Sequence, residues 1–409
     1  MGKLAVGTVV AKNYLPFARV LATSFRERHP TIPFFVVLVD EVDGHFDPVR
    51  EPFSMLSLRD LNIPQLDRFC FHYSRQPLIV ATKPFLLDHL LNQGFSSVIF
   101  LDADILILGE LDPLFAVAQE HSIVLTPHLL APLSAPGREA RELNILLSGT
   151  YNGGFIGVSE SGSTRSFLAW WQDRVYEHCC HAVAAGMHYD QRWLDLVPVY
   201  FEDVHILRDP TYNVAYWGLP ERNVHVPENL LPVDTQPCRF FHFSGFDPEQ
   251  PPAVTRYSPR LTMGNVGPAV SLFDHYAKLL NAAGYPQAKT WPYAYNYFDN
   301  GVRIPRVARQ LYQTLSARTR FGDPRRTDAS ESYFNWLNEP VDSCPDPSLT
   351  ITQLWRGIYG VRSDLQQAFP DVAGTDRRDF IEWAMTFGVH EMNVSERFVP
   401  SEWTGGRLT

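Results

Sequence analysis

Residues 98–108 read VIFLDADILIL, and this stretch decides the fold that the sequence predicts. It opens with apolar residues on successive positions, which is typical of a β-strand covered on both faces, as in a parallel sheet. Similar runs occur at residues 4–10 (LAVGTVV) and 34–40 (FFVVLVD), and helical spacing follows them at residues 14–28 and 82–92. This alternation predicts an α/β sandwich built of βαβ units.

The alternation continues to about residue 247 and then changes. Further strands are predicted at residues 122–126, 155–159, 197–201 and 239–243, and helices at residues 164–179 and 190–196. Pro248, Pro251 and Pro252 interrupt the pattern, and the segments beyond them have helical spacing, at residues 269–283, 305–320, 350–369 and 376–387. We therefore expect an α/β domain at residues 1–248 and a mostly helical region at residues 249–409.

The composition limits the class of protein. The 409 residues include 45% hydrophobic and 20% charged residues, as in a globular protein, and the net charge of −10 disfavours a nucleic-acid-binding protein. No apolar run approaches the ~18 residues of a membrane span, and no signal peptide is recognisable. Five cysteines without a CxxC pair predict reduced, buried thiols. These features predict a cytoplasmic protein.

The acidic pair Asp102 and Asp104 is the strongest chemical signal. Side chains two residues apart at the end of a strand point the same way, and buried like charges are costly unless a cation or hydrogen bonds offset them. A divalent metal ion is the simplest such cation, and His242, after the predicted strand 239–243, would complete a set suited to Mn²⁺ or Mg²⁺. Aspartates that cap a turn and a histidine satisfied in the core are the alternatives. The carboxyl end of a parallel strand, where α/β sheets bind ligands, favours the metal.

Three further polar signals lie at the predicted ends of elements. Asn152-Gly153-Gly154 is first a turn signal, and Asp190 fits the N-cap of a helix. Lys83 lies in the first turn of its predicted helix, where a cation is unfavourable, so that either an anionic neighbour or exposure to solvent is expected. Neither GxGxxG nor GxxxxGK[ST] is present, which disfavours the dinucleotide and P-loop sites.

Taken in order, these pieces resemble the GT-A-fold glycosyltransferases, most closely family 8, the group of glycogenin and the bacterial lipopolysaccharide galactosyltransferases. The resemblance covers roughly residues 1–248. It is carried by the order of Lys12-Asn13-Tyr14, Ala81-Thr82-Lys83, FLDADILIL around Asp102, Asn152-Gly153-Gly154, Asp190-Gln191 and His242 with Gly245. It implies a Rossmann-like GT-A sandwich and a hexosyltransferase-like enzyme, which moves a sugar with retention from a nucleotide-sugar donor to a glycan or lipid-linked glycan in bacterial polysaccharide biosynthesis.

The resemblance also implies a role for each matching residue. Asp102, Asp104 and His242 would bind the metal ion, with the aspartates also holding the donor's diphosphate. Lys83 would contact the diphosphate or the donor sugar, and Asn13 would lie near the nucleotide. The donor sugar and its anomeric carbon would be lined by Asn152 and by the two residues assigned as catalytic, Asp190 and Gln191.

Two departures from the family pattern bear on the donor. Ala11 and Lys12 stand where family 8 usually carries an acidic residue that helps to read uracil, so the resemblance does not fix UDP as the nucleotide. Asp247 replaces the lysine of HxxGxxKP that would stabilise the leaving phosphate, and Lys83 or Arg239 is then the cation expected to substitute.

Two segments bear on the acceptor. Tyr212, Tyr216 and Trp217 either stack on an acceptor sugar or belong to the core. Residues 303–326 hold seven arginines and one acid, which predicts either peripheral contact with the anionic inner face of a membrane or arginines paired with acidic groups of the protein.

Two other classes stay open. The departures at residues 11, 12 and 247 are compatible with a non-catalytic glycan-binding protein on a decayed transferase fold, which the intact Asp102, Asp104 and His242 oppose. A sugar-1-phosphate nucleotidyltransferase shares the sheet and the acidic ligands. It should have a Gly-rich, Arg-containing loop after the first strand, and residues 10–13 (VAKN) are not such a loop.

Overall fold

The computed structural model describes residues 2–134, 136–219, 238–250, 252–316 and 318–404. The chain forms two compact units, of which the first comprises Met1–Ile63 and Arg75–Tyr293 and the second comprises Pro64–Ser74 and Ala294–Thr409. None of the helices in the described ranges has the length and apolarity needed to cross a membrane.

The strands of the described residues all lie in the first unit. Their bounds are β1 (Leu4–Val10), β2 (Phe34–Leu38), β3 (Ser54–Ser57), β4 (Ser97–Leu101), β5 (Ile105–Ile107), β6 (Ile123–Pro127), β7 (Tyr151–Ser159), β8 (His181–Ala182), β9 (Met187–His188), β10 (Val204–Ile206), β11 (Val214–Ala215) and β12 (Phe240–His242). A seven-stranded sheet has the order β10-β6-β7-β4-β1-β2-β3, and a three-stranded sheet has the order β11-β12-β5.

The large sheet is parallel except at β7. Strand β7 pairs antiparallel with both β4 and β6, and the other neighbours in the sheet pair in parallel. The first residues of β7 therefore lie beside the carboxyl end of β4, where a ligand site is expected in an open α/β sheet.

Helices pack on the sheet and are the main regular secondary structure of the described part of the second unit. Their bounds are α1 (Leu15–Arg28), α2 (Leu66–His72), α3 (Arg75–Ala81), α4 (Lys83–Asn92), α5 (Asp112–Glu120), α6 (Arg138–Ser148), α7 (Gly162–Glu177), α8 (Gln191–Leu194), α9 (Val197–Tyr200), α10 (Val270–Ala282), α11 (Tyr285–Ala288), α12 (Arg306–Thr314), α13 (Tyr333–Asn338), α14 (Gln353–Val361), α15 (Ser363–Ala368), α16 (Arg377–Trp383) and α17 (Val389–Glu391). The predicted α/β architecture followed by a mostly helical region is confirmed.

Two features differ from the sequence prediction. Residues 197–201 are not a strand, because Pro198 lies in the first turn of α9, where its fixed φ favours a helix. The predicted boundary at 248/249 falls inside the first compact unit, since Leu272 and Tyr276 of α10 are buried in the same core as the sheet. Tyr276 stacks on Phe243 with ring centroids 3.8 Å apart.

The thiols and the basic stretch also have defined positions. The five cysteines form no disulfide, but Cys180 is exposed, so the expectation of buried thiols holds only in part.

In the basic stretch 303–326, Arg309 is buried and donates to the carbonyl oxygens of Phe71, Tyr73 and Tyr295. An arginine held inside the second unit is not available to a membrane surface.

Candidate functional site

The segment between β4 and β5 carries the two carboxylates. The Asp102 N–H donates to the Gly154 carbonyl of β7 at 2.8 Å, and the Ile105 N–H closes a turn onto the Asp102 carbonyl at 3.2 Å. Strand β5 then pairs antiparallel with β12 in a register that sets His242 opposite Ile105. This pairing explains why a histidine so distant in sequence meets the Asp102–Asp104 segment.

Asp102, Asp104 and His242 form a set that fits a divalent cation. One ligand atom from each lies within 4.8 Å of the others, and His242 Nε2 is 3.1 Å from Asp104 Oδ1 and 3.9 Å from Asp102 Oδ2. Gly154 provides the space for this set, because a Cβ at residue 154 would lie 2.4 Å from His242 Cε1 and 2.9 Å from Asp102 Oδ2. Two carboxylates and one imidazole suit Mn²⁺ or Mg²⁺, and the imidazole favours Mn²⁺.

Asp104 and His242 change each other's protonation. Burial works against the charged form of both groups, but their mutual attraction and hydrogen bond lower the pKa of Asp104 and raise the pKa of His242. Both shifts favour an ionised carboxylate beside an imidazolium. A divalent cation at this site would displace the proton from His242 Nε2.

Lys83 supplies a buried positive charge to the same site. It is the first residue of α4, which starts here because Pro84, at the second position, has no N–H with which to continue α3. Only 2% of Lys83 is exposed, and its Nζ is 3.3 Å from Asp102 Oδ1, 3.1 Å from Asp190 Oδ2 and 2.8 Å from the Gly153 carbonyl oxygen. Anionic neighbours, not exposure, account for a cation in the first turn of this helix.

The pKa values of Lys83 and Asp190 reflect that arrangement. Burial opposes the charge of Lys83, but Asp102 and Asp190 outweigh it and raise the Lys83 pKa. Burial raises the pKa of Asp190, although Lys83 acts in the opposite direction. Asp190 directly precedes α8 without capping it, because its side chain is directed to Lys83 instead.

Gln191 and the Asn-Gly-Gly segment hold the edge of β7. Gln191 Oε1 accepts from the Gly153 N–H at 3.0 Å, and its Nε2 donates to the Ser148 carbonyl at 2.8 Å. The predicted turn at residues 152–154 is wrong, since all three residues belong to β7. The glycines serve close approach instead, because a Cβ on Gly153 would lie 3.1 Å from Asp190 Oδ2.

A chain of polar side chains fixes the orientation of His242. Asn152 Oδ1 accepts from the Gly154 N–H and from Asn213 Nδ2, both at 3.1 Å. Because Asn213 donates through Nδ2, its Oδ1 faces His242 Nδ1, 3.2 Å away. His242 Nδ1 therefore donates its proton to Asn213, and Nε2 faces the carboxylates. At the other end, Asn152 Nδ2 lies 3.1 Å from Nε2 of His128. Burial lowers the pKa of His128 to about 4, so His128 is neutral and accepts this bond.

One cavity of about 500 Å³ within the first unit is lined by Lys83, Asp102, His128, Asn152, Asp190, Gln191 and His242. Tyr216 and Trp217 line it, together with Arg256 and Tyr257. Tyr212, the third aromatic of the sequence prediction, is buried beside Phe240 in the core and does not belong to the lining. Tyr212 therefore belongs to the core, whereas the stacking of Tyr216 and Trp217 on an acceptor sugar stays a prediction.

Most of the predicted site residues line this cavity, except Asn13 and Asp104, and Asp104 contacts the lining residue His242. Asn13 is buried in the short turn after β1, is not among the lining residues, and its Oδ1 has no hydrogen-bond partner among the described residues. Its neighbour Lys12 is also buried, with Nζ 3.4 Å from Asp40 Oδ1 and 2.5 Å from Asp43 Oδ2. Lys12 therefore ties the end of β1 to the loop after β2.

Sequence reasoning did not assign His128, Asn213 or Arg256 to the site. His128 directly follows β6, a position at a strand's carboxyl end that could have marked it. Asn213 has φ +48°, a left-handed conformation that asparagine tolerates, but the sequence alone does not show its partner.

Two other features of the first unit are weaker candidates for the functional site. His29, Glu110 and Asp112 also offer three ligand atoms, but His29 Nε2 already accepts the Leu111 N–H at 3.0 Å. A larger groove of about 1150 Å³ borders α1 and α10, and its floor is formed by residues 106–108. Neither feature combines buried charge with an accessible cation set.

Comparisons with known proteins give distant similarities. No protein-family model matches the chain. The uncharacterized protein YfnD of Bacillus subtilis (strain 168) is 22% identical over 254 residues, which cover 60% of this chain and 79% of that protein.

Three solved structures are similar in fold. The galactosyltransferase LgtC in complex with donor and acceptor sugar analogues has a TM-score of 0.41 and 14% identity, and the similar region covers 68% of this chain and 95% of LgtC. The glycosyltransferase GlyE of Streptococcus pneumoniae TIGR4 has a TM-score of 0.42 and 13% identity, covering 76% and 73%. Mouse xyloside xylosyltransferase 1 has a TM-score of 0.37 and 12% identity, covering 58% and 97%. Fold similarity of this kind does not define a reaction.

Replacing Lys83 by Met should destabilise the first unit. Removing one partner of a buried ionic cluster typically costs about 3–5 kcal/mol, because Asp102 and Asp190 would be left without their cation. Urea unfolding followed by tryptophan fluorescence measures the loss. The matched control is Lys289→Met, because the Lys289–Glu249 ion pair is partly exposed and should contribute less than about 1 kcal/mol.

The loss should also depend on pH. In the Lys83→Met protein, burial still raises the Asp190 pKa above its value in the unfolded chain. The folded variant therefore binds a proton on Asp190 more tightly than the unfolded chain does. The variant's stability then falls as the pH rises from the unfolded to the folded pKa of Asp190. Its loss of stability relative to the wild type should be larger at about pH 8 than at about pH 5. Equal, pH-independent losses for the two lysine variants would contradict this account.

Replacing Asn213 by Gly should weaken metal binding without straining the backbone. Glycine adopts φ +48° freely but removes the acceptor of the His242 Nδ1 proton, and loss of such a partner typically weakens metal affinity about 10–100-fold. Electron paramagnetic resonance of unbound Mn²⁺ measures the affinity. Asn62→Gly is the control, since the exposed Asn62 has φ +52°. Equal Mn²⁺ affinity in both variants would show that Asn213 does not orient His242.

Proposed function

We propose that this protein is a metal-dependent glycosyltransferase of the GT-A type, similar to family 8, that uses a nucleotide-sugar donor. The observation that carries the proposal is the cation set of Asp102, Asp104 and His242, of which Asp102 and His242 line the same cavity as the buried Lys83. Transfer from a nucleotide sugar releases a diphosphate, and its developing charge must be neutralised. A site that combines a divalent-cation set with a lysine suits that requirement.

Each ligand contributes to the placement of the cation. Asp102 and Asp104 would bind it through carboxylate oxygens, and His242 would bind it through Nε2, because its Nδ1 proton is donated to Asn213. Mn²⁺ is the proposed ion, with Mg²⁺ as the alternative. When bound, the ion supplies Lewis-acid stabilisation to the leaving diphosphate. Lys83 Nζ, 3.3 Å from Asp102 Oδ1, holds that carboxylate in place.

Asp190, Gln191 and Asn152 are proposed to contact the donor sugar. Asp190 is held against Lys83 at the floor of the cavity, and an ionised carboxylate there would stabilise positive charge at the anomeric carbon. Gln191 is fixed by its bonds to Gly153 and Ser148.

Asn13 is proposed to lie near the nucleotide. Retention follows from the family resemblance, with the leaving phosphate taking the proton of the acceptor hydroxyl.

The acceptor is proposed to be a glycan, free or lipid-linked, of a bacterial polysaccharide. Tyr216 and Trp217 line the cavity, and aromatic faces suit the stacking of sugar rings. The transferase domain, proposed from the sequence to end at 248, would include α10, because α10 shares its core. Peripheral membrane contact through residues 303–326 has weaker support, since Arg309 is buried within the second unit.

The two alternative classes predict different binding behaviour. A non-catalytic glycan-binding protein would bind glycans without nucleotide or metal. A sugar-1-phosphate nucleotidyltransferase would release pyrophosphate from a nucleoside triphosphate. The cation set with its buried lysine favours the transferase over the decayed fold. If the site bound no cation, the carboxylates of Asp102, Asp104 and Asp190 would still repel one another without serving a function.

Thermal stability with UDP, GDP, dTDP, ADP or CMP, each with Mn²⁺, Mg²⁺ or EDTA, tests the function. One nucleotide at ~100 times its Kd should stabilise the wild type by about 2.7 kcal/mol in the presence of metal. Asp104→Asn should abolish that shift and the turnover of the matching nucleotide sugar, because it removes one ligand charge. Asp173→Asn, on the exposed face of α7, should behave like the wild type.

Three outcomes would contradict parts of this proposal. Equal shifts in EDTA and Mn²⁺ would remove the metal role, and an active Asp104→Asn protein would remove that ligand. If no nucleotide shifts the wild type and glycans do, the protein is a glycan-binding protein. Proton NMR of the newly formed anomer decides between retention and inversion.

A further inference from the structure

The family pattern places a lysine at residue 247 to meet the leaving phosphate, and this chain has Asp247 there. The Asp247 carboxylate lies away from the cation set, where Oδ1 accepts from the Tyr285 hydroxyl at 3.2 Å. Arg239 does not replace that lysine, because its Nη1 donates to the Glu110 carbonyl at 2.9 Å. Lys83 is already neutralised by two carboxylates. Another cation is needed to meet the diphosphate.

Arg256 lies on a loop that is fixed against the turn after His242. The Arg256 N–H donates to the Gly245 carbonyl at 3.0 Å, and the buried Thr255 hydroxyl donates to the Ser244 carbonyl at 2.8 Å. Gly245 has φ +73°, and a Cβ there would lie 2.6 Å from the Tyr257 ring. The loop therefore depends on glycine at 245 and holds residue 256 close to the cation set.

The Arg256 side chain is directed to the cavity of the site. It lines that cavity together with Asp102, Lys83 and His242, and its Nη2 donates to the Tyr257 hydroxyl at 2.8 Å. The Arg256 guanidinium lies 5.0 Å from the centroid of the Tyr257 ring, which limits its freedom. Among the described residues, no carboxylate lies within 4.0 Å of it. A guanidinium has five N–H donors, and the exposed Arg256 side chain uses one of them for Tyr257, so the others have no partner among the described residues.

The electrostatics of the site favour an anion next to Arg256. Burial lowers the Arg256 pKa, but the Tyr257 hydroxyl and, more weakly, the charge of Asp104 raise it overall. The three carboxylates of Asp102, Asp104 and Asp190 are balanced by Lys83 and a divalent cation. The two negative charges of a donor's diphosphate are then without a counter-charge, and Arg256 is positioned to supply one.

We infer that Arg256 binds the diphosphate of the nucleotide-sugar donor, in place of the lysine that the family pattern has at residue 247. This inference rests on the proposed function. A planar guanidinium matches phosphate oxygens with two parallel hydrogen bonds, so an arginine that approaches from a different loop serves the same oxygen atoms. Arg256 contacts the β-phosphate, whose charge increases as the sugar leaves.

Isothermal titration calorimetry of the full chain with Mn²⁺ tests the inference. UDP, GDP, dTDP, ADP and CDP are titrated first, and the base that binds most tightly is then compared as diphosphate and as monophosphate. Arg256→Gln should weaken diphosphate binding about 10- to 30-fold, as expected for the loss of a charge-assisted hydrogen bond. Monophosphate binding and Mn²⁺ binding without nucleotide should stay unchanged.

Two variants serve as controls. Arg256→Lys keeps the charge but not the bidentate geometry, so its diphosphate affinity should lie between those of the wild type and Arg256→Gln. Arg239→Gln removes the same charge from a residue outside the cavity and should bind like the wild type. Thermal unfolding of each variant confirms that it is folded.

The outcomes separate the inference from the function on which it rests. Wild-type diphosphate affinity in Arg256→Gln would overturn the role of Arg256 and leave the proposed function intact. Equal weakening of monophosphate and diphosphate would also overturn it, because the contact would then be to the nucleoside or the α-phosphate. If the wild type binds no nucleoside diphosphate with Mn²⁺, the proposed function fails and the role of Arg256 with it.

Discussion

The ammonium group of Lys83, buried between Asp102 and Asp190, is the interaction on which the rest of the site depends. It joins the start of α4, the end of β4 and the residue before α8, and it also binds a backbone carbonyl of β7. Burying Asp190 without it would be costly, and burying the lysine alone would be equally unfavourable. Because the ammonium group contacts both carboxylates, it holds Asp102 and Asp190 at the cavity beside His242.

The direction of β7 is the second constraint. A strand that runs antiparallel to β4 and β6 brings its first residues to the carboxyl edge of the parallel strands. There Gly153 and Gly154 let the backbone approach Asp190, Asp102 and His242 more closely than any side chain would allow. The same glycines that suggest a turn in the sequence therefore serve an extended strand in the fold. Their conformational freedom is not used, since neither has a positive φ.

Outside the cation set, hydrogen bonds determine which atoms face the site. The Gly154 N–H fixes the amide of Asn152, Asn152 fixes the amide of Asn213, and Asn213 fixes the tautomer of His242. A short loop pinned to the turn after His242 carries Arg256 to the same cavity. The site is thus set by backbone groups at strand ends, with the side chains following from them.

The sequence by itself determined the α/β class, the helical region after it, and most of the residues that meet at the cavity. Those signals are local: apolar runs mark the strands, and DxD directly follows one of them. Only the tertiary structure decided that residues 197–200 are helical, that Lys83 is buried, that α10 belongs to the first unit, and that Asn13 stays outside the cavity. It alone also placed Asn213 against His242 and Arg256 at the cavity. Such contacts join residues far apart in sequence, and a polar side chain in a loop has no periodicity that reveals its partner. Strand register and burial fix those partners, and both exist only in the folded chain.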